Sequence, residues 1–443
     1  MPTGTPFARC VARAVRSATT TSKASSSSSS SRASSSSRAW VGETATNPRG
    51  RVAVVGGGAS GTACAREIAR RTSREVCVFD AGRALGGRAS AREASVGRWD
   101  HGAAFAAAAP SDEDDEDDED ERAWRAWIEE KARRGEMHRW YGPFATVRDG
   151  RVSEVAVVAE ESDARFAWSP SFDAVERRAL ENAGVDVRSS ARVVGFARDD
   201  ENGTVSVRHE TYGEGERTES GFECVVLADK NLATRRDGVA AIDSLDVEDI
   251  ATAMRGVSST PSLALMVTLN RAPAVDFVGA EIVDDDALGW MANESSKPGR
   301  AANGVCWVAH ATEAYAKSKV TEHSLKTRPG TPEHAAWMND VERDMRDALL
   351  RALRAVESPS DEPLEIVSSR AHRWGAAFPT SSATTDDAKF LRTARSGAAV
   401  YAVGDYCGGA PNARRRGLRA AVLSGLAAAA DACADDERPR SKL

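Results

Sequence analysis

The chain has 443 residues, 41% of them hydrophobic, enough to bury the cores of about two domains. Residues 1–40 carry six basic side chains and no acid, so the formal net charge of −7 leaves −13 on the remainder, ten of it in the single run Asp112 to Glu121. The rest is nearly balanced: no basic stripe points to nucleic acid, no stretch of about 18 apolar residues spans a membrane, and the seven cysteines lack a C-x-x-C pair, which argues against a metal site or a disulfide frame.

Residues 1–40 are Ser-rich and punctuated by Arg, with near-homopolymers at Ser25–Ser31 and Ser34–Ser37. That composition fits an organelle transit peptide, most like a plastid one, and residues 1–48 are set apart as a disordered targeting segment. A tail without an address has the same composition. The last three residues, Ser441-Lys442-Leu443, form a peroxisomal address when exposed at a carboxyl terminus. An N-terminal signal is read first during synthesis, so the chloroplast is expected and the peroxisome is the alternative.

Arg51 to Val55 reads as a buried strand, and Gly56-Gly57-Gly58-Ala59-Ser60-Gly61 follows it as G-x-G-x-x-G. Thr62 to Arg71 reads as a helix, and Glu75 to Phe79 as a second strand ending on Asp80. Gly56 makes the tight turn, Gly58 lets a pyrophosphate approach the backbone, and Gly61 allows close helix–strand packing. Ala59 and Ser60 open the helix whose free N–H groups and dipole face the phosphates. Asp80, 19 residues after Gly61, stands where an acid accepts the hydroxyls of an adenosine ribose. An ordinary βαβ turn explains the glycines alone; strand, helix, second strand and terminal acid together point to a dinucleotide.

Six residues after Asp80 comes Gly86-Gly87-Arg88. This resembles the second fingerprint of FAD enzymes in the flavin amine-oxidase superfamily. It implies FAD, with Gly87 bringing the backbone near the cofactor and Arg88 carrying charge to its diphosphate. No Cys-bearing attachment motif is evident, so the flavin is expected to be non-covalent. Arg98-Trp99-Asp100-His101-Gly102-Ala103-Ala104-Phe105 narrows the resemblance to renalase-like flavoproteins, where an Asp-His-Gly-Ala stretch and a Phe follow that fingerprint. His101 either faces the flavin or hydrogen-bonds within a loop.

The acidic run departs from that family and reads as a solvated surface insertion, or as a dock for a basic partner. Arg122 to Arg133 reads as a helix with Trp124, Trp127 and Ile128 on one face, and Ser171 to Glu181 as another. Val185 to Ser189, Arg192 to Phe196, Thr204 to His209 and Cys224 to Ala228 read as strands returning the chain to the FAD domain. The resemblance places a backbone group near Val193 against the adenine. After Cys224–Ala228 the family carries a small-residue and proline turn, whereas this chain has Asp229-Lys230. Leu263 to Leu269, Glu281 to Val283 and Leu288 to Met291 read as antiparallel strands of a second domain.

Ser295-Ser296-Lys297-Pro298-Gly299-Arg300, then the strand Val305 to Ala311 with Trp307 and His310, also resemble the renalase group. Lys297 and Arg300 are the candidates for holding substrate phosphates, an exposed cationic loop being the plainer reading. Asp340 to Val356 reads as an amphipathic helix. Ala371-His372-Arg373-Trp374 with Phe378-Pro379 is a further landmark, where Trp374 walls the flavin pocket or joins the core. Ala399 to Val403 leads into Gly404-Asp405 and a helix through Ala420 to Ala430, similar to the third flavin signature. There Asp405 is expected at the ribityl and phosphate region, and the helix N-terminus at flavin N1/O2. Ala413 to Arg419, with four arginines, departs from the family and reads as an insertion.

The expected fold is α/β: a discontinuous FAD-binding Rossmann-like domain (49–105, 182–240 and 390–434) plus an antiparallel-sheet α+β substrate domain (106–181 and 241–389), with an acidic insertion at 111–121. The resemblance implies an FAD-dependent oxidoreductase. Its substrate would be a reduced nicotinamide dinucleotide isomer, oxidised by hydride transfer, with dioxygen as acceptor and hydrogen peroxide as product. No Ser/His/Asp signature, zinc spacing or carboxylate pair is evident. Hydride transfer to flavin N5 needs none, so no catalytic side chain is assigned, and His101, His310 and Trp374 are pocket candidates. An amine or polyene oxidase on the same fold stays open, as does a non-catalytic flavin- or dinucleotide-binding protein.

Overall fold

The structure, a computed structural model, describes residues 50–107, 119–157, 164–211, 213–235, 238–300, 303–322, 329–385, 388–393, 397–408 and 417–437. The expected targeting segment, Ser441 to Leu443, Arg414 to Arg416 and most of the acidic run lie outside the described residues.

The β-branched run Arg51–Val55 forms the centre of an eight-stranded sheet. It pairs in parallel with Glu75–Phe79 on one side and with the end of Gly215–Leu227 on the other. Asp186–Arg188 extends the sheet beyond Glu75–Phe79. Gly215–Leu227 divides it. Its first part pairs antiparallel with Thr204–Thr211, while Cys224 to Leu227 pair in parallel with Ala399–Ala402. Because side chains alternate along a strand, one apolar run serves two cores. Val52 and Val54 pack with Cys64 and Ile68 of the helix Ala59–Arg71 and with Ala428 and Ala429 of the last helix, Gly417–Glu437. Ala53 and Val55 pack on the opposite face with Phe79, Leu227 and Tyr406. The segment Ala241 to Val257, expected with the second sheet, buries Ile242, Leu245, Ile250 and Met254 in this same core.

The second sheet has seven strands, ordered Ile366–Pro379, Ser259–Leu269, Val305–Ala311, Leu288–Asn293, Gly279–Ile282, Pro143–Arg148 and Arg151–Val157. All neighbours are antiparallel except Gly279–Ile282 with Pro143–Arg148. The last two strands form a hairpin whose turn residues Asp149 and Gly150 have φ of 50° and 66°, the geometry an Asp-Gly pair favours. The helix Pro332–Val356 covers one face, burying Trp337, Val341, Met345, Leu349 and Leu353. It begins eight residues before the expected Asp340, because Thr331 caps it, accepting from the His334 N–H at 3.2 Å, and Pro332 fits its first turn. The opposite face carries Met266, Ala292 and Val308 against Trp99, Trp140 and Phe144, and this is the face that meets the functional site.

The acidic run is not wholly a solvated insertion. Its last three residues, Glu119 to Glu121, are the first turn of the helix Glu119–Arg133, where negative charge opposes the positive end of the dipole. Glu121 is buried, bonded to Arg125 at 3.1 Å and paired with Arg419 of the last helix at 3.0 Å.

Candidate functional site

The strand Arg51–Val55 ends on Gly56, whose φ of 113° favours glycine and whose added Cβ would stand 2.9 Å from the Ala228 carbonyl carbon. A Cβ on Gly61 would lie 1.9 Å from the Gly56 carbonyl oxygen, so strand end and helix start are in contact. A Cβ on Gly58 meets nothing within 4 Å. That position faces an open cavity of about 1930 Å³. The helix begins there with no capping side chain and no acid in its first turn. The N–H groups of Ala59, Ser60 and Gly61, and the positive end of the dipole, are left for an external anion.

Asp80 and Val193 line the same cavity. The Gly57 N–H donates to Asp80 Oδ2 at 2.6 Å and the Gly82 N–H to Oδ1 at 2.7 Å. Burial raises the Asp80 carboxyl while these two amides pull it back. Each carboxylate oxygen retains acceptor capacity. At Val193 the pairing with the next strand slips, a bulge lying between Val193 and Gly195.

The second glycine motif folds back on the first, the Gly86 N–H donating to the Gly57 carbonyl at 2.7 Å. Gly87 has φ of 51° and lines the cavity. Arg88 follows with both guanidinium ends on Asp405, at 2.6 and 2.7 Å, and a further bond to the Ala377 carbonyl at 2.6 Å. The Asp405 side chain is 1% exposed and that of Arg88 is 42% exposed, so the arginine presents the charge and the carboxylate holds it from behind. The Gly404 N–H donates to Ser424 Oγ at 3.0 Å, tying this strand end to the last helix. Asp229 and Lys230, where the resemblance implies a small-residue and proline turn, form a turn held by polar bonds instead. Asp229 accepts from the Asn231 N–H at 2.9 Å, and Lys230 Nζ donates to the Val257 carbonyl and Ser259 Oγ, each at 2.9 Å.

The far wall is the second sheet. His372 is paired with Ala264, and Ala264 with His310, so two imidazoles flank one alanine on a single face; Trp374 follows two residues after His372. The His101 ring stacks on Trp374 at 5.1 Å and meets His372 edge-on at 4.6 Å. Trp374 Nε1 donates to the His101 carbonyl at 2.9 Å. Gly102 seats this loop, since a Cβ there would lie 1.9 Å from the Arg88 carbonyl oxygen. Burial pushes His101, His310 and His372 each down to about 4, so all three are neutral at neutral pH. His101 Nδ1 and His310 Nε2 are buried with no hydrogen-bond partner.

Residues 54–116 match the NAD(P)-binding Rossmann-like domain family. Among solved structures, the chain is similar to a putrescine oxidase in complex with putrescine, with a TM-score of 0.54 at 12% identity over 87% of this chain and 99% of that one. It also resembles p-nitrophenol 4-monooxygenase from Pseudomonas putida DLL-E4, at a TM-score of 0.48 and 14% identity over 87% and 80% of the two chains. An aklavinone-11 hydroxylase in a ternary complex with FAD and aklavinone gives 0.49 and 15% over 88% and 63%. The first of these likenesses extends the Rossmann-like match to a fold-level match over both sheets.

His101, His310 and Trp374 thus come together at the cavity with Arg88. Lys297 and Arg300 do not. They belong to a buried cluster of four charges in which Lys297 Nζ lies 2.8 Å from Asp100 Oδ2 and 2.6 Å from Glu294 Oε1, and Arg300 bonds both acids. Lys297 Nζ also donates to the Ala104 carbonyl at 2.8 Å. Burial works to raise Asp100, but Lys297 and Arg300 outweigh it and hold the carboxyl below its usual range; at Glu294 burial prevails and the carboxyl rises. The Lys297 and Arg300 side chains are 0% and 3% exposed, and their charges are paired with these acids rather than presented to a substrate. What the cluster does is fasten the loop Asp100 to Ala104, and with it His101, to the second sheet. His372 enters the sequence reading only within the Trp374 landmark; the two-residue spacing from Trp374 is the signal that puts both on one face.

Proposed function

We propose that the protein is an FAD-dependent oxidoreductase that holds its flavin non-covalently along Gly56–Gly61, Asp80 and Arg88, oxidises a reduced nicotinamide dinucleotide isomer, and uses dioxygen as acceptor. The observation that carries the reading is the uncapped helix N-terminus behind Gly58, joined in one cavity to Asp80 and Arg88. The residues suit the cofactor. Gly58 leaves space where a side chain would stand, the Ala59 to Gly61 amides and Arg88 offer donors to a diphosphate, and Asp80 with the Val193 bulge offers acceptors to an adenosine. A flavin held by these residues would supply a hydride acceptor for the donor, and its reoxidation by dioxygen, with one proton taken from solvent, would give hydrogen peroxide.

The chain's own part is positioning. Asp405 fixes the Arg88 guanidinium, and the Asp100–Lys297 cluster fixes the loop of His101. Trp374, with the neutral His101 ring stacked on it, offers an aromatic wall for a dihydronicotinamide ring. No side chain has to move a proton at the donor carbon, because a hydride leaves with its electron pair.

The test is an absorbance spectrum of the purified full chain, denaturation to release free FAD, and anaerobic mixing with dihydronicotinamide isomers, amines and polyenes. Bleaching by a dihydronicotinamide supports the reading. A colourless protein that never takes up flavin ends it. Reduction by an amine or polyene alone transfers the assignment to an oxidase of that class, and flavin that no donor reduces makes the protein a binder.

A further inference from the structure

We propose that Arg92 and Arg370, with His101 and His372 beside them, form a subsite for a phosphate group of the substrate, outside the cofactor cradle. This rests on the functional reading above and names the part of the donor that the protein grips.

Sheet register brings the two arginines together. On the edge strand Ile366–Pro379, alternation places Arg370, His372 and Trp374 on the face turned from the long helix. Arg370 is paired with Met266 of the neighbouring strand. Met266 packs in one cluster with Trp99, and Trp99 is the hairpin partner of Arg92. Cross-strand partners share a face, so Arg92 is delivered beside Arg370.

Among the described residues neither arginine has an acidic partner, and the charged neighbours that bear on Arg92 are Arg370 and Arg83, both cations. Burial, then these two cations, hold the Arg92 guanidinium below its usual value. The same two arginines add to burial and His101 in keeping His372 neutral. By contrast Arg88, Lys131, Lys297 and Arg300 each sit against an acid. Arg370 lines the cavity and Arg92 stands behind it, so the uncompensated pair is a site for an anion brought from outside.

A second, independent observation points the same way. His101 is 6% exposed, lines the cavity, and leaves its Nδ1 without a partner. A buried ring nitrogen without a partner costs free energy unless a ligand satisfies it. The cavity, at about 1930 Å³, also exceeds the roughly 300–1,000 Å³ of a one-ligand pocket, which leaves room for a second molecule beside the cofactor. The same charge pattern repels a cationic amine.

The experiment uses flavin-loaded full chain, so that the cofactor cradle is already filled. AMP is titrated by calorimetry at low salt, with adenosine as the uncharged control and benzoate as a carboxylate control, on wild type, Arg92→Ala, Arg370→Ala and Arg370→Lys. Each Arg→Ala change should weaken AMP roughly tenfold, Arg370→Lys should recover most of the loss, and the flavin spectrum should not move. With donors, the preference for a dihydronicotinamide dinucleotide over the phosphate-free riboside should fall by a similar factor. AMP binding that is equal in all four proteins overturns the subsite, as does benzoate binding in place of AMP. If no dihydronicotinamide reduces the flavin but AMP still depends on both arginines, the functional reading fails and the subsite stands.

Discussion

Gly58 separates cofactor binding from folding more cleanly than any other position in the chain. Its φ of −74° suits any residue, and an added Cβ meets no protein atom within 4 Å. Gly58→Ala should therefore leave the fold intact, and by restricting the unfolded chain raise its stability by about 0.4–1 kcal/mol. The methyl group projects instead into the space where a diphosphate approaches the Ala59 to Gly61 amides. Displacing the diphosphate from one or two charge-assisted bonds, each worth about 1.5–3 kcal/mol, weakens FAD binding about 10- to 150-fold per bond. Gly61→Ala is the contrasting variant, because its Cβ would lie 1.9 Å from the Gly56 carbonyl oxygen and must push strand and helix apart. Flavin occupancy after purification, FAD titration of the stripped protein and a melting temperature of the flavin-free form distinguish the two. The expected pattern is lost affinity with retained melting temperature for Gly58→Ala, and a lowered melting temperature for Gly61→Ala. Full flavin occupancy in Gly58→Ala would refute the argument, since the glycines would then serve only the turn.

Removing Lys297 by Lys297→Met leaves Asp100 and Glu294 buried with one cation between them, and should cost about 3–5 kcal/mol in chemical denaturation; a change under about 1 kcal/mol would mean the cluster contributes little. Arg88→Ala strips the buried Asp405 of its partner and should lower both FAD affinity and stability, while Arg88→Lys, which cannot make the bidentate contact, should recover only part; equal behaviour of the two variants would count against the fork geometry. His101, His310 and His372 titrate near 4 when folded and near 6.5 when unfolded, so the unfolded state binds more protons between those values. Stability should accordingly be intact above about pH 6.5 and fall as pH drops toward 4. His372→Phe should make that decline shallower by up to about 1.4 kcal/mol per pH unit, and an unchanged slope would show that His372 takes no part.

The cofactor half of the site was legible because its residues are local in sequence. Strand, glycines, helix, strand and acid occupy Arg51 to Asp80, and each is required by backbone geometry that only certain residues meet. The substrate half was not, and the reason is distance along the chain. Whether a lysine faces a ligand or a carboxylate depends on what packs opposite it. Lys297 meets Asp100 across 197 residues, a pairing that no spacing rule predicts. The three acids that open the helix Glu119–Arg133 read in sequence as part of a charge run for a similar reason, since Arg419, which answers Glu121, lies far downstream. Other misses had a signal. Asp149-Gly150 is a hairpin pair, and Thr331-Pro332 is a helix start.

The bidentate bond between Arg88 and Asp405 joins residues 317 positions apart. It follows that a nascent chain has its phosphate-binding glycines complete long before Arg88 can be aimed, and that the His101 wall waits likewise for Lys297 to emerge. Contacts of such long sequence separation form late, because the loop-closure entropy must be met before they return anything. A partly made or partly unfolded chain therefore lacks the means to grip flavin firmly and to present it to a donor at the same time. In a flavin-dependent oxidoreductase, that ordering confines turnover to molecules that have finished folding.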